Sequence, residues 1–396
     1  MKKKELKILS ELKFNRNDKK NGIYAEFIYK NHLFYCVIKT HGCYQFAMQL
    51  DDLHSEKEFS HVCKYDDLKS SIDKTKAKNT IEWKYNGALS IQEIDKNGTV
   101  IAEHSLLLSD YLPEQYKNQI DTMDSIPTYP TNRQDISGLQ SICSLTIPSI
   151  TYESLADIHL FSSHNSLKFM TTQGVSILGI SLRNPSLSSL LSGEYKMDSI
   201  YFSNLSAFLS DINISIFTQD SIQYLYFTNS MYRMAIPMYK VDEMKFNQLP
   251  GISEWNLDKI QKESSCFQWD MCKHLKEIDK WNQTEKKKLE EMVEDDENTL
   301  PKGAKAYLSL VKRFWNVVQI DTQSNSVILK NKEHTLPLDI KFSSPFSSTI
   351  HHTIQVPYQD LRCIVENTGE EDTWGYATGD TWNTLWCMNR FVILKL

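Results

Sequence analysis

The chain has 396 residues, of which 41% are hydrophobic and 24% are charged, and its formal net charge is −6. This composition excludes a disordered chain and supports sizeable cores, and the length predicts about two to four domains. No run of about 18 apolar residues occurs, so we expect no membrane-spanning helix.

The N-terminal sequence, MKKKELKILSELK, predicts a charged helix. It has no apolar core and no small-residue cleavage site, both of which a secretory signal requires. None of the eight cysteines forms a Cys-x-x-Cys pair, and the group Cys266, Cys272 and His274 fits no usual zinc spacing. We therefore expect a cytoplasmic protein with reduced cysteines, no bound metal and no cofactor.

Alternating apolar and polar residues predict strands through the first third of the chain. Residues 24–29 and 33–38 flank the polar break Lys30-Asn31-His32, which is typical of a hairpin. Residues 65–72 are predicted to form a helix. Further strands are predicted at 43–50, 79–85, 87–94 and 99–108, the last after the turn Asp95-Lys96-Asn97-Gly98.

The same order of elements returns in the middle third. A helix is predicted at 137–146, and a short helix at 204–212 has Asn204 as its N-cap. Strands are predicted at 158–161, 167–170, 174–182, 213–218, 222–228 and 231–238.

The last third repeats the pattern with an addition. A long helix is predicted over 266–293, and the charged break Glu294–Asn298 follows it. A strand is predicted to run into a helix over 354–366. Further strands are predicted at 315–320, 326–330, 373–378, 384–388 and 390–396.

Each third therefore consists of two half units, each with a helix and antiparallel strands. The repetition lies in the order of the elements and not in matching residues. Proline and glycine predict linkers at 113–136 and 240–256. The sequence predicts an α+β protein of three consecutive domains, at 1–116, 117–250 and 251–396, the last with a charged insertion at about 279–303.

Three stretches carry a resemblance to the bacterial DNA polymerase III β subunit, the sliding clamp. Residues 167–177 resemble its strand, turn and strand with Thr-Asp-Gly-His-Arg-Leu: Thr172 and Gly174 match, Gln173 replaces Asp, and Val175-Ser176 replace His-Arg. Residues 197–205, followed by paired strands that end at 235–237, are also similar. The C-terminus 392–396 resembles the final Met-Pro-Met-Arg-Leu, of which Leu396 is identical.

The resemblance implies clamp-type domains in a ring, with strands outside and helices lining the channel. It also implies a head-to-tail homodimer, double-stranded DNA in the channel and a clamp loader. Basic residues on inward helices would contact phosphates without reading sequence. The alternative for each of them is a solvated helix face. The candidates are Lys3, Lys4, Lys7, Lys69, Lys74, Lys76, Lys273, Lys276 and Arg362.

The resemblance further implies an apolar pocket for a short peptide of a DNA polymerase or another protein with a clamp-binding motif. The alternative is that its strand residues belong only to the core. Because the family's His-Arg pair is missing, we expect a different partner peptide. The pocket would use Thr172, Gly174, Val175, Ser176, Ile177, Met244, Phe246, Val392, Ile393, Leu394 and Leu396.

Three classes of function remain open from the sequence. The first is a processivity clamp, and the second is a clamp-fold interaction protein that never encircles DNA. The third is an enzyme, such as a nuclease, which would need clustered acids and a bound metal. The sequence has no Gly-x-Gly-x-x-Gly, P-loop or Gly-x-Ser-x-Gly motif, so a binding protein without catalytic residues is favoured.

Overall fold

The computed structural model divides into two compact units. The first contains Met1–Ile136, Thr151–Leu167 and Asn184–Glu243, and the second contains Ser137–Ile150, Lys168–Arg183 and Met244–Leu396. The residues that the structure describes are 3–50, 53, 55, 57–76, 79–117, 126–145, 157–173, 176–208, 211–241, 256–268, 280, 287, 317–321, 326–330, 335–338, 353–357, 360, 361, 364, 372–378 and 382–395. Within these residues, no helix is both long and apolar enough to cross a membrane.

The first unit opens with two helices and a sheet. The predicted hairpin is confirmed: β1 and β2 pair from Ile23↔Thr40 to Lys30↔Leu33. Its two-residue turn has positive φ at Asn31 (50°) and His32 (63°), as tight hairpin turns require. The elements are α1 (Lys3–Glu11), α2 (Arg16–Asn21), β1 (Ile23–Lys30), β2 (Leu33–Thr40), β3 (Gln45–Gln49), β4 (Phe59–Lys64) and α3 (Tyr65–Lys74).

A separate three-stranded sheet follows, in the order β5 (Thr80–Tyr85), β6 (Leu89–Ile94) and β7 (Val100–Ser105). The Asp95 carboxylate accepts hydrogen bonds from the backbone N–H groups of Asn97 (2.8 Å) and Thr99 (2.9 Å), which holds the predicted turn. Strand β7 lies at the edge of this sheet.

The rest of the first unit extends the larger sheet. Its strands lie in the order β9, β12, β15, β3, β2, β1 and β4, and β14, β13 and β8 continue from β15. The elements are α4 (Glu114–Lys117), β8 (Tyr129–Pro130), α5 (Arg133–Leu145, which ends in the second unit), β9 (Asp157–Ser163), α6 (Pro185–Ser189), β12 (Glu194–Asp198), a 3₁₀ helix (Ser199–Ala207), β13 (Asn213–Gln219), β14 (Ile222–Thr228) and β15 (Tyr232–Lys240).

The helix predicted at 204–212 is wrong in its bounds and in its cap. The 3₁₀ helix begins earlier, where the Asp198 carboxylate accepts from Ile200 N–H at 3.0 Å. Asn204 lies inside it and is buried, and its amide bonds the backbone of Lys13 and the hydroxyl of Tyr44. These distant partners satisfy Asn204, so it does not serve as a cap.

In the second unit, six strands lie in the order β16, β21, β22, β23, β11 and β10. A four-stranded sheet has the order β19, β18, β17 and β20. The elements are β10 (Ser166–Gln173), β11 (Ser176–Arg183), α7 (Leu257–Glu263), β16 (Ser265–Gln268), β17 (Val317–Asp321), β18 (Ser326–Lys330), β19 (Thr335–Leu338), β20 (Thr353–Pro357), β21 (Thr373–Thr378), β22 (Trp382–Cys387) and β23 (Arg390–Lys395).

The long helix predicted over 266–293 is wrong at its start. Residues Ser265–Gln268 form β16 and pair with β21, from Ser265↔Tyr376 to Gln268↔Thr373. Of the remainder and of the insertion 279–303, the described residues are Lys280 and Lys287, which are helical. Every described strand pairing of the chain is antiparallel, and the predicted α+β class is confirmed.

Candidate functional site

The described lysines among the predicted DNA-binding residues lie on or beside two packed helices of the first unit. The Tyr65 hydroxyl of α3 donates to the Leu9 carbonyl of α1 at 2.6 Å, and the apolar faces of both helices are buried. Lys3 and Lys4 also belong to α1. The exposed side chains are Lys7, Lys69, Lys74 and Lys76. Lys273, Lys276 and Arg362 lie outside the described residues.

Acidic neighbours offset much of this positive charge. Lys7 forms an ion pair with Glu11 at 2.8 Å, and the Glu11 hydrogen bond raises the pKa of Lys7. Both side chains are more than half exposed, so this pair adds little stability. On α3, two lysines stand among Asp66, Asp67 and Asp73. The helix pair α1 and α3 is therefore close to neutral.

The sequence reasoning missed α2, the most basic of the described helices. Its exposed cations are Arg16, Lys19 and Lys20, and its one acid, Asp18, is buried. The signal was present: Asn15 caps the helix by accepting from Asp18 N–H, and Gly22 follows its end with φ of 96°. These three exposed cations are absent from the predicted set of DNA-binding residues.

The predicted pocket residues on β11 and β23 lie side by side in the second unit. The register joins Ser176 to Leu394, Ile177 to Ile393 and Leu178 to Val392. The sequence stretches that carry the resemblance, separated by more than 200 residues, therefore meet in one ladder. Thr172 lies in β10, whereas Gly174, Val175, Met244, Phe246 and Leu396 lie outside the described residues.

Burial shows that the described pocket residues belong to the core of the second unit. Ser176, Ile177 and the run Val392–Leu394 are all buried. Their burial agrees with the alternative interpretation as strand core. The pocket assignment stays a prediction.

Two buried polar groups fix this ladder, and the sequence reasoning missed both. The Ser176 hydroxyl donates to the Asp360 carboxylate, which is buried. The Arg390 guanidinium, also buried, donates to the Ile364 carbonyl at 3.1 Å. Buried polar groups of this kind are costly unless they are hydrogen-bonded, so they favour one register of β23 on β11.

The part of the chain that the structure describes contains no candidate metal site. There, no three side chains of histidine, cysteine, aspartate or glutamate gather as a metal site. Cys266 lies in β16 and forms no disulfide, and burial raises the pKa of its thiol. Cys272 and His274, the other members of the weak cysteine group, lie outside the described residues.

The comparisons with known proteins identify the fold. No protein-family model matches the chain, and no curated protein matches it in sequence. Among solved structures, the Helicobacter pylori beta clamp bound to a DNA ligase peptide superposes with a TM-score of 0.58 at 9% identity. The beta subunit of DNA polymerase from Streptococcus pyogenes gives 0.57 at 11%, and the DNA polymerase III subunit beta from Pseudomonas aeruginosa gives 0.53 at 9%. Each match covers 99% of this chain and 96% of the other, so the chain has the fold of the bacterial beta clamps over its length.

Gly179 provides a test of the β11–β23 ladder. It pairs with Phe391, and a Cβ at Gly179 would overlap Cζ of that ring. We expect Gly179→Ala to lower the free energy of unfolding by about 1–3 kcal/mol, because such overlap forces neighbours to move. Urea unfolding measures the change.

The matched control for this substitution is Phe391→Leu, alone and combined with Gly179→Ala. The smaller side chain relieves the overlap, so we expect the double variant to lose less than the sum of the single losses. Additive losses, or an unchanged Gly179→Ala protein, would contradict the close contact.

Proposed function

We propose that this chain is a DNA sliding clamp, a processivity factor that encircles duplex DNA as a ring and tethers a polymerase or repair enzyme in the cytoplasm. The observation that carries the proposal is the likeness to bacterial beta clamps across nearly the whole of both chains. A protein that shares only one domain with clamps would match a fraction of them. The proposed role needs a closed ring and no catalytic residues.

Encirclement explains how a protein with little positive charge on its helices can stay on DNA. A protein that closes around DNA leaves by opening or by reaching an end, so its retention does not require tight binding. Contacts from exposed lysines and arginine on α1, α2 and α3 would be made to phosphates, without reading the sequence and with a dependence on salt. The near-neutral α1–α3 pair is compatible with this mechanism.

Ring closure requires a second copy of the chain, and β7 supplies an edge for it. Val100 and Ile101 on this edge strand are about half exposed, and Leu107 and Tyr111 just beyond it are 81% and 67% exposed. An exposed apolar edge strand is a template for pairing with another chain. We propose that β7 of one copy pairs with an edge strand of the four-stranded sheet of the other. A head-to-tail dimer of three domains per chain (1–116, 117–250 and 251–396) follows.

Partner docking is proposed beside the β11–β23 ladder. The Helicobacter pylori beta clamp has been solved bound to a DNA ligase peptide, which supports a peptide-binding role for this fold. In this chain the buried Ile177 and Val392–Leu394 would hold the strands beneath the peptide. Val175-Ser176 in place of His-Arg favours a partner peptide with a different polar contact. A clamp loader would open the ring for DNA.

The alternative function is a clamp-fold interaction protein that does not encircle DNA. The observation that favours it is the weak charge of the helices in the middle third. The 3₁₀ helix carries no charged residue, and α5 carries one arginine and one aspartate. A channel lined by such helices would attract DNA weakly, and the protein would then act through its partners alone.

Retention on circular DNA distinguishes the two functions. Chains diluted to monomers and then concentrated with nicked circular plasmid are expected to form dimers that stay on the plasmid through gel filtration at high salt. A single restriction cut should release them, because a ring slides off an end. The mass of the free protein is measured by light scattering.

Equal retention on circular and linear plasmid would contradict encirclement, as would a protein that stays monomeric at micromolar concentration. A protein that dimerises but is never retained would favour the alternative function.

The proposed copy-to-copy edge is tested with Ile101→Lys. We expect this variant to be monomeric at concentrations where the unchanged chain is dimeric, because a charge would then be buried at the interface. Leu190→Lys is the matched control, since Leu190 is also an exposed apolar residue of the first unit but lies away from β7. Sedimentation measures both, and a dimeric Ile101→Lys protein would refute the use of this edge.

The predicted lysines on α3 are tested through salt dependence. If Lys69 and Lys74 each contact a phosphate, the double alanine variant should flatten the plot of log affinity against log salt by about 2, at roughly 0.9 per contact. The control with the same charge change is Lys30→Ala with Lys84→Ala, two exposed lysines on strands. Equal slopes for the two double variants would show that the α3 lysines are solvated and do not contact DNA.

A further inference from the structure

A polar cavity of about 410 Å³ lies in the first unit, apart from the predicted DNA-binding and docking residues. Its lining comes from α2, the turn between β2 and β3, the region from β12 into the 3₁₀ helix, the end of β15 and the start of β9, which contributes Asp157. Side chains that accept hydrogen bonds dominate its lining.

The floor of the cavity is held in place by a hydrogen-bond network. Asp18, 1% exposed, accepts from the Tyr201 hydroxyl at 2.5 Å and from Gly42 N–H at 3.2 Å. The Asn15 amide donates to the same hydroxyl at 2.9 Å. A Cβ at Gly42 would stand 3.0 Å from the Asp18 carboxylate, so the turn passes close to it. The floor is therefore preorganised rather than formed on binding.

The side chains that line the cavity include three carboxylates and one lysine, whereas the exposed cations of α2 do not belong to the lining. Lys196 lies 3.8 Å from Asp157 on the rim and offsets it. Asp18 and Asp198 accept hydrogen bonds from neutral groups, and within the described residues neither forms an ion pair with a lysine or arginine. Burial raises the pKa of Asp198, and the nearby charges of Asp157 and Asp18 raise it further. A cation that entered would relieve this repulsion.

The position of the cavity repeats the position of the predicted docking pocket. In the first unit β15 pairs with β3, as β23 pairs with β11 in the second. The docking pocket is predicted at the turn before β11 and the end of β23. The cavity lies at the turn before β3, with His41 and Gly42, and at the end of β15, with Tyr239.

We propose that this cavity binds the basic side chain, arginine or lysine, of an extended peptide segment from a protein partner. The carboxylates of Asp18 and Asp198 supply the charge complementarity that selects a cation. Tyr239, which is 45% exposed and whose hydroxyl donates to the Gly42 carbonyl at 3.1 Å, presents an aromatic ring at the mouth. Aromatic faces attract guanidinium and ammonium groups. The site does not depend on ring closure or on DNA.

Short capped peptides with one central residue test the proposal on the full chain, without DNA. The probes are acetyl-Gly-Arg-Gly-amide and its citrulline analogue, which has nearly the same shape and no charge. We expect saturable binding of the arginine peptide by ligand-observed NMR, and binding of the citrulline peptide at least tenfold weaker. Equal binding of the two peptides, or binding of neither, would overturn the proposal.

Two variants test whether the peptide binds in the cavity: one removes a carboxylate from the lining and the other adds one. Asp198→Asn should weaken the arginine peptide about tenfold, whereas Asp67→Asn, an equal charge change on exposed α3, should leave it unchanged. Because Asp198 also caps the 3₁₀ helix, Asn17→Asp gives an independent test. It adds a carboxylate to the lining near the start of α2, where helices favour acids, and should tighten binding several-fold.

A gain of affinity for the arginine peptide cannot arise from misfolding. The control for Asn17→Asp is Asn97→Asp, which makes the same change of charge in an exposed turn. If Asn17→Asp binds no more tightly than Asn97→Asp, the peptide binds elsewhere and the assignment of the cavity is wrong. Because no arm of the test uses DNA, failure here is distinct from failure of the clamp function.

Discussion

Strand pairing between distant parts of the chain is the interaction on which the rest of this structure depends. In the first unit, β15 pairs with β3 from Tyr232↔Met48 to Ala235↔Gln45. In the second, β23 pairs with β11 from Ser176↔Leu394 to Ile180↔Arg390. Backbone groups on a buried strand edge must be hydrogen-bonded, so each ladder fixes one third of the chain against the next. In the proposed dimer, the exposed edge at β7 would meet the same requirement by pairing with the other copy.

Low positive charge is compatible with a clamp because retention and affinity are separate quantities. A protein that binds DNA from one side must hold it by contact energy, and each exposed ion contributes little when salt screens it. A closed ring is held by the cost of opening strand ladders, which is far larger than one surface ion pair. The acids on α3 beside Lys69 and Lys74 are compatible with retention of this kind.

Local pattern was sufficient for the elements whose partners are close in sequence. The β1–β2 hairpin follows from alternation and a polar break, and its partners are at most 17 residues apart. The local sequence pattern gave wrong predictions where contacts with residues distant in sequence determine the secondary structure. Asn204 bonds Tyr44, 160 residues away, and so sits inside a helix that it seemed suited to cap. Phe267 lies in a strand because β21 pairs with it, although its neighbours have helical periodicity. Helix α2 was missed because six residues give no periodic signal.

The candidate docking residues were reached by another route, and the difference is physical. No local sequence pattern links Ile177 to Ile393. The resemblance to clamps predicted that both belong to one pocket, and the β11–β23 ladder pairs them directly. The same resemblance gave no reason to consider the equivalent turn in the first unit, since His41-Gly42-Cys43 matches none of its motifs. There a similar ladder recurs between β3 and β15, and Asp18 and Tyr201, which belong to neighbouring helices, form the polar floor of the cavity beside it. In the two proposed sites, strand pairing would set the location, and the residues around each ladder would set the chemistry of the ligand.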